Sequence, residues 1–343
     1  MENLRLADYK ARQGKKRSRG VRMFDRDPEG NLQRLHDVLL AGDYHTSRYT
    51  FFQVRDPKER TIARLPYYPD RIVHHAIMNI LEPIFTRMYT ADTYACIKGR
   101  GGHLARHNIM RAMRRDPQGT EYCLKIDIRK YYPSVDHDVL KGILRRKFKD
   151  VRLLNLLDEI IDSAPGLPIG NYLSQTLANV YLAYFDHYVK EQLGVRYYFR
   201  YVDDIVVLSN DKGQLRRILS AMREYLGERL HLEIKPNWQI FPVEARGLDF
   251  LGYVFRHGYV LLRKRIKRNL FRALAHQRKV ARNCREIRLA VGSYIGWLNS
   301  LFVGYRWNEH LSFWGEYTCL KAGNYYRNGR NPHWIQLQVL YNF

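Results

Sequence analysis

Phe199-Arg200-Tyr201-Val202-Asp203-Asp204-Ile205-Val206-Val207-Leu208 sets two adjacent carboxylates between apolar, β-prone flanks. Tyr197 to Tyr201 and Ile205 to Leu208 read as a strand pair, so the acidic pair rides on the tip of a hairpin. Carboxylates taken out of water at such a place are costly unless a cation or a partner compensates them. The pair therefore asks for a metal, and for a further ligand elsewhere in the chain.

That ligand is found upstream. Tyr122-Cys123-Leu124-Lys125-Ile126-Asp127-Ile128 alternates, with Leu124, Ile126 and Ile128 on one face and Cys123, Lys125 and Asp127 on the other, away from the aliphatic core. The chain then turns through Arg129-Lys130-Tyr131-Tyr132-Pro133-Ser134, and Asp136 begins an amphipathic helix with Val139, Leu140, Ile143 and Leu144. Any single Asp is most often a turn or cap residue. Asp127, Asp203 and Asp204 in this order converge if their strands neighbour one another in one antiparallel sheet, and carboxylate oxygens at that density suit Mg²⁺. Two such ions about 4 Å apart stabilise the attacking and leaving oxygens of an in-line phosphoryl displacement. Nucleotidyl transfer is the reaction that fits.

Composition points to the same kind of partner. Lys and Arg outnumber Asp and Glu by 58 to 34, a net charge of +24, which favours a polyanion through counterion release. Hydrophobic residues make up 45% and aromatic residues 13% of the 343, enough for a large core and two or three subdomains. There is no long apolar run and no apolar signal core near Met1, so a soluble, cytoplasmic protein without a membrane partner is expected. Cys96, Cys123, Cys284 and Cys319 are scattered without zinc spacing and read as ordinary thiols.

The remaining chain reads in order. Residues 1 to 20 hold seven basic and two acidic side chains and suggest a flexible or loosely helical arm. A first helix covers Pro28 to Ala41, a hairpin joins Tyr49–Val54 to Arg60–Leu65, and Asp70 caps a helix to about Arg87. Lys98-Gly99-Arg100-Gly101-Gly102 can meet a phosphate, although a simple turn is the more ordinary reading of such glycines. Helices follow at His103 to Arg115 and Val151 to Asp162, then one long helix from Asn171 to Leu193 that Gly194 stops. Gln214 to Leu226 is helical, Leu230 to Lys235 alternates, and Gly247 to Phe255 is a tight hairpin. Residues 263 to 288 carry eleven basic residues against Glu286 alone, a helical face suited to a phosphate backbone. An aromatic tail with Tyr294, Trp297, Phe302, Tyr305, Trp307, Trp314 and Trp334 completes this basic helical domain.

Tyr201-Val202-Asp203-Asp204 resembles the active-site box of reverse transcriptases, and Lys125-Ile126-Asp127-Ile128 with Tyr131-Tyr132 resembles their first catalytic motif. Arg60-Thr61-Ile62, Asp70-Arg71-Ile72-Val73, Pro168-Ile169-Gly170 to Gln175, Lys235 and Phe250-Leu251-Gly252 follow the family's order. Relatives such as group II intron and retron enzymes carry Gln-Gly and then Ser-Pro after the first catalytic box. Here Ile169-Gly170 and Ser174-Gln175 are similar to the signature of diversity-generating retroelement reverse transcriptases.

The resemblance implies an α+β, right-hand polymerase fold with fingers, a palm of antiparallel sheet on helices, and a helical thumb. On it, residues 1–48 form the basic arm and first helix, 49–121 the fingers, 122–255 the palm with finger-like helices around 137–165, and 256–343 the thumb and tail. Asp127, Asp203 and Asp204, with the backbone carbonyl of Ile128, would hold two Mg²⁺, for which Mn²⁺ can substitute. Arg60 would hold the incoming triphosphate, with Lys98 and Arg100 as further candidates, and Lys235 would protonate the leaving pyrophosphate. Tyr132 would lie under the sugar and exclude a 2′-hydroxyl, while Ile169, Gly170, Ser174 and Gln175 would flank the nascent base pair. The implied partners are dNTPs, a template-repeat RNA, its cDNA and RNA–DNA duplex, and a small, basic, oligomeric accessory variability protein; the implied setting is bacterial or phage-encoded. The implied product is cDNA with errors opposite adenines that feeds mutagenic retrohoming into a target gene. Two other readings stay open: a group II-like or retron reverse transcriptase of ordinary fidelity, and a catalytically idle RNA-binding scaffold.

Overall fold

The computed structural model describes residues 1–55 and 59–280 and, further on, residues 292, 294, 306–307, 311–314 and 338–341. Cys284, Cys319, Trp297, Phe302, Tyr305 and Trp334 lie outside the described residues. In chain order the helices are α1 (Glu2–Ala11), α2 (Arg19–Phe24), α3 (Pro28–Ala41), α4 (Ile72–Met88), α5 (Gly102–Arg115), α6 (His137–Lys147), α7 (Val151–Asp162), α8 (Tyr172–Tyr181), α9 (Ala183–His187), α10 (Lys212–Leu230), α11 (Val243–Arg246) and α12 (Lys264–Val280). The strands are β1 (Thr50–Val54), β2 (Arg60–Arg64), β3 (Tyr122–Asp127), β4 (Tyr197–Tyr201), β5 (Asp204–Ser209), β6 (Gln239–Pro242), β7 (Leu248–Phe250), β8 (Tyr253–Phe255), β9 (Val260–Leu262), β10 (Arg306–Trp307), β11 (Leu311–Trp314) and β12 (Gln338–Tyr341).

The chain divides into two units. The first comprises residues 1–105 and 119–241, the second residues 106–118 and 242–343. The first is built on a sheet ordered β4-β5-β3-β6, antiparallel across β4, β5 and β3. Leu124, Ile126, Ile205, Val207 and Tyr198 enter the main core with α8, α9 and α10, because strand alternation sends every second side chain to that side. Cys123, Val206 and Phe199, on the opposite face, are buried as well. Asp136, Asp150 and Asp211 each accept backbone N–H groups at the starts of α6, α7 and α10, caps worth about 1 kcal/mol apiece. The β1–β2 hairpin forms as its sequence predicts, in the register Thr50↔Arg64 to Val54↔Arg60.

Four local expectations are corrected. The basic N-terminus is helical, one of the two forms expected, but packed and not loose, since Leu4, Ala7 and Ala11 form a buried helical stripe on α4 and Asn3 Nδ2 donates to Ala76 O at 3.0 Å. Asp70 caps nothing: it is fully buried and accepts from Tyr44 Oη at 2.8 Å and Ser47 N at 2.9 Å. The segment from Asn171 to Leu193 is not one helix. It breaks at Leu182 (φ −94°, ψ 0°) into α8 and α9, and continues as a wider turn of helix over Tyr188–Gln192. Leu230 to Lys235 forms no strand; it begins as the end of α10, which runs to Leu230, and pairs with β3's extension only at Ile128↔Ile234.

In the second unit β7, β8 and β9 make a three-stranded antiparallel sheet, and a second such sheet has the order β10-β11-β12. The α12 helix exposes Lys264, Arg265, Lys267 and Arg268 and buries Leu270. No helix among the described residues is long and apolar enough to cross a membrane.

Candidate active site

The β4–β5 hairpin closes on Tyr201↔Asp204, leaving Val202 and Asp203 as its two turn residues. Two-residue hairpin turns need φ > 0 at the first central position, which Gly or Asn usually supplies. Here a β-branched residue does so: Val202 has φ +58°, a conformation costing about 1–3 kcal/mol that persists only where neighbours impose it.

Next to this turn stands β3, with Asp127 directly opposite Asp204 in the antiparallel register. The chain beyond β3 is tied to the same corner. Ile128 N–H donates to Asp203 O at 3.2 Å and Lys235 N–H donates to Asp127 O at 2.8 Å. The strands thus adjoin as the sequence requires, and they bring Asp127, Asp203, Asp204, Ile128 and Lys235 to one end of the sheet's strands.

The electrostatics show a site rich in negative charge. Lys235 Nζ donates to Asp127 Oδ1, and Lys125 Nζ lies 3.8 Å from Asp204 Oδ2. Even so, burial, and after it the charge of Asp127, push the Asp203 carboxyl above the ordinary carboxylate range, against the opposing pull of Lys235 and Arg60. Among the described residues no three His, Cys, Asp or Glu side chains already form an ion cage. The donor set nonetheless fits Mg²⁺, because every ligand it offers is an oxygen and its like charges are compensated incompletely by the two lysines.

Arg60 starts β2, and its charge acts on both Asp203 and Tyr132. Tyr132 packs edge-on against Tyr131 with ring centroids 5.7 Å apart; burial raises its hydroxyl pKa, and the Asp203 charge adds to the rise. The loop before α8 is held against β2. Ala63 N–H donates to Ile169 O at 2.8 Å, and Gly170 has φ +122° with the position of a Cβ only 2.5 Å from Ala63 O. Within α8, Ser174 is buried and Gln175 exposed. The glycine-flanked segment is a turn closed by Arg100 N–H to Ile97 O; Arg100 Nη1 donates to Thr90 O at 2.8 Å, whereas Lys98 is exposed. Arg100 is therefore engaged by its own loop.

Sequence reasoning missed the support beneath the hairpin. Arg200 and Asp186 are both fully buried and paired, and Arg200 Nη1 also donates to Val202 O at 3.0 Å. An Arg inside an otherwise apolar strand was the one available signal.

The family described as reverse transcriptase (RNA-dependent DNA polymerase) matches residues 55–255. The chain is similar to protein YkfC of Escherichia coli strain K12, 25% identical over 65% of this chain and 70% of YkfC. It is also similar to the group II intron-encoded protein LtrA of Lactococcus lactis subsp. cremoris, 23% identical over 47% of this chain, and spans 28% of LtrA. In fold it resembles the apo telomerase from Candida tropicalis, with a TM-score of 0.52 at 11% identity, covering 73% of this chain and 52% of that one. The sheet order, the hairpin that carries the acidic pair and a family match over more than half the length agree with the right-hand polymerase fold, and the chain belongs to the reverse transcriptase family.

Proposed function

We propose that this chain is an RNA-directed DNA polymerase working by nucleotidyl transfer at Asp127, Asp203 and Asp204. The observation that carries the reading is the direct opposition of Asp127 and Asp204 beside an Asp203 whose carboxyl is raised by burial and by Asp127. Asp127, Asp203, Asp204 and the Ile128 carbonyl would hold Mg²⁺, for which Mn²⁺ could substitute, and the bound ion would supply Lewis acidity toward the primer hydroxyl and the triphosphate. Arg60, on the strand beside the site, binds the triphosphate by charge and guanidinium geometry, with Lys98 as a secondary contact and Arg100 contributing through the loop it closes. Tyr132 fills the space under the sugar. Lys235, already an ammonium donor at Asp127, gives its proton to the departing pyrophosphate. Residues 49–121 serve as fingers, 122–255 as palm and 256–343 as a basic thumb that grips the RNA–DNA duplex by its backbone and shape.

Primer extension on an RNA template with dNTPs and Mg²⁺ tests this reading. Extension that is lost in Asp203→Asn supports it, and a wild-type chain that extends no primer, even with its RNA and partner protein, overturns it.

Within that activity we propose a place in a diversity-generating retroelement: copying a template-repeat RNA with errors opposite adenines, together with a small basic oligomeric accessory variability protein, in the cytoplasm of a bacterial or phage-infected cell, to feed mutagenic retrohoming. Support comes from Ile169-Gly170 and Ser174-Gln175, where the exposed Gln175 amide replaces a rigid proline. The likeness to LtrA favours a second reading, a group II-like enzyme of ordinary fidelity. Sequencing cDNA made on the template-repeat RNA with and without the accessory protein separates them. Adenine-directed errors that disappear in Ile169→Gln/Gln175→Pro support the first; efficient, unbiased synthesis without the accessory protein establishes the second.

A further inference from the structure

Arg200 is the largest fully buried side chain in the described protein, and nothing about an ordinary core calls for it. Its Nε donates to Asp186 Oδ1 at 2.7 Å and Oδ2 at 2.9 Å, and its Nη2 donates to Oδ2 at 2.6 Å. Asp186, on α9, also accepts from Tyr198 Oη at 2.6 Å and Thr93 Oγ1 at 2.7 Å. The remaining face of the guanidinium points forward: Nη1 donates to Asn179 Oδ1 at 3.0 Å and to Val202 O at 3.0 Å. Asn179 is anchored in turn, its Nδ2 donating to Ala95 O at 2.6 Å. The backbone of Arg200 is tied to the same segment, through Arg200 N–H to Asp92 O at 2.9 Å and Tyr94 N–H to Arg200 O at 3.1 Å.

A buried ion pair of this kind adds little stability over an apolar pair of the same volume, so stability alone does not account for it. What the fork does, and an apolar pair would not, is hold the carbonyl of the one residue in the hairpin turn that is β-branched and left-handed. That peptide leads directly into Asp203.

We propose that Arg200, braced by Asp186 and Asn179, is a positioning residue that fixes the left-handed Val202 peptide and so aims the Asp203 carboxylate. The inference rests on the reading of Asp203 and Asp204 as metal-binding residues given above. Arg200 is fully buried, and it acts through one hydrogen bond to the turn.

The test uses the full chain in steady-state primer extension with a Mg²⁺ titration. Arg200→Met/Asp186→Leu removes both buried charges and keeps the core apolar. Its melting temperature is expected to fall, because Tyr198 Oη and Thr93 Oγ1 lose their acceptor, and in the folded variant kcat is reduced at least about tenfold, the Mg²⁺ midpoint raised several-fold and KM for dNTP unchanged. Val202→Gly, which accepts a positive φ without strain, should return part of the lost kcat when added to that double variant. Arg200→Lys keeps the charge on Asp186 but cannot fork to Val202 O, and decides the matter if the double variant fails to fold: reduced kcat with unchanged KM is expected. Wild-type kcat and Mg²⁺ midpoint in either folded variant overturn the proposal, as does a loss confined to thermal stability. Failure of the underlying reading looks different, since then wild type extends no primer or Asp203→Asn extends as well as wild type.

Discussion

Asp127 and Asp204 stand directly opposite one another across the β3–β5 ladder, each already attended by a lysine. Like charges so placed oppose folding while they serve binding. Asp127→Asn should therefore lower primer extension by at least about a hundredfold while leaving the melting temperature equal to or above that of wild type. Activity and thermal melts on one preparation check the split; a variant that loses both together would mark Asp127 as structural.

Lys235 lowers, and burial and Asp127 raise, the proton affinity of Asp203. The ionised form of Asp203 is the one that can hold a cation, so activity falls as pH drops through its pKa. Removing Lys235 raises that pKa further. In Lys235→Met the acidic limb of kcat/KM should accordingly move to higher pH, in addition to any loss of kcat, and an unmoved limb would show that the two groups do not communicate.

His74 is fully buried on α4, and burial lowers its pKa from 6.5 to about 4, with Arg71 adding to the fall and Asp70 opposing it. Between those values the unfolded chain binds a proton that the folded chain refuses, so stability declines as pH falls from about 6.5 to 4, by up to about 3 kcal/mol for this group. The melting temperature of His74→Leu should vary less with pH over that window than wild type does.

Gly170 cannot carry a side chain where it sits. With φ +122° and only 2.5 Å to Ala63 O, Gly170→Ala combines backbone strain with a clash against main chain. A loss of about 1–3 kcal/mol in denaturant unfolding is expected, whereas Gly99→Ala, with open space around it, meets only the strain of its own positive φ and should cost less.

Tyr132 is partly buried beside the charges of Asp203 and Arg60. If its ring fills the place of a 2′-hydroxyl, Tyr132→Val should raise rNTP incorporation relative to dNTP by tenfold or more, a ratio read from gel-resolved single-nucleotide extension.

The parts of this fold that could be read from sequence are those whose cause is local. β3 declares itself by alternation, β4 and β5 by β-prone apolar runs on either side of the acidic pair, and the cap at Asp136 sits within three residues of the N–H groups it serves. What could not be read depends on contacts far apart in the chain. Asp70 looks like a cap beside Arg71, yet its partners are Tyr44 and Ser47. The break at Leu182 has no Pro or Gly to announce it. Arg200 reaches Asp186, Asn179 and, through Asp92 and Tyr94, a third segment; each of these residues is unremarkable alone. The meeting of Asp127 with the Asp203–Asp204 turn was legible because carboxylates between β-branched residues violate the pattern of an ordinary strand and call for a partner strand of the same kind.

The bond from Ala63 N–H to Ile169 O joins the strand that begins with Arg60 to the segment that runs on to Gln175. A substitution at Ile169 is therefore felt through the main chain by the strand that Arg60 begins, and one at Ala63 by the segment before α8.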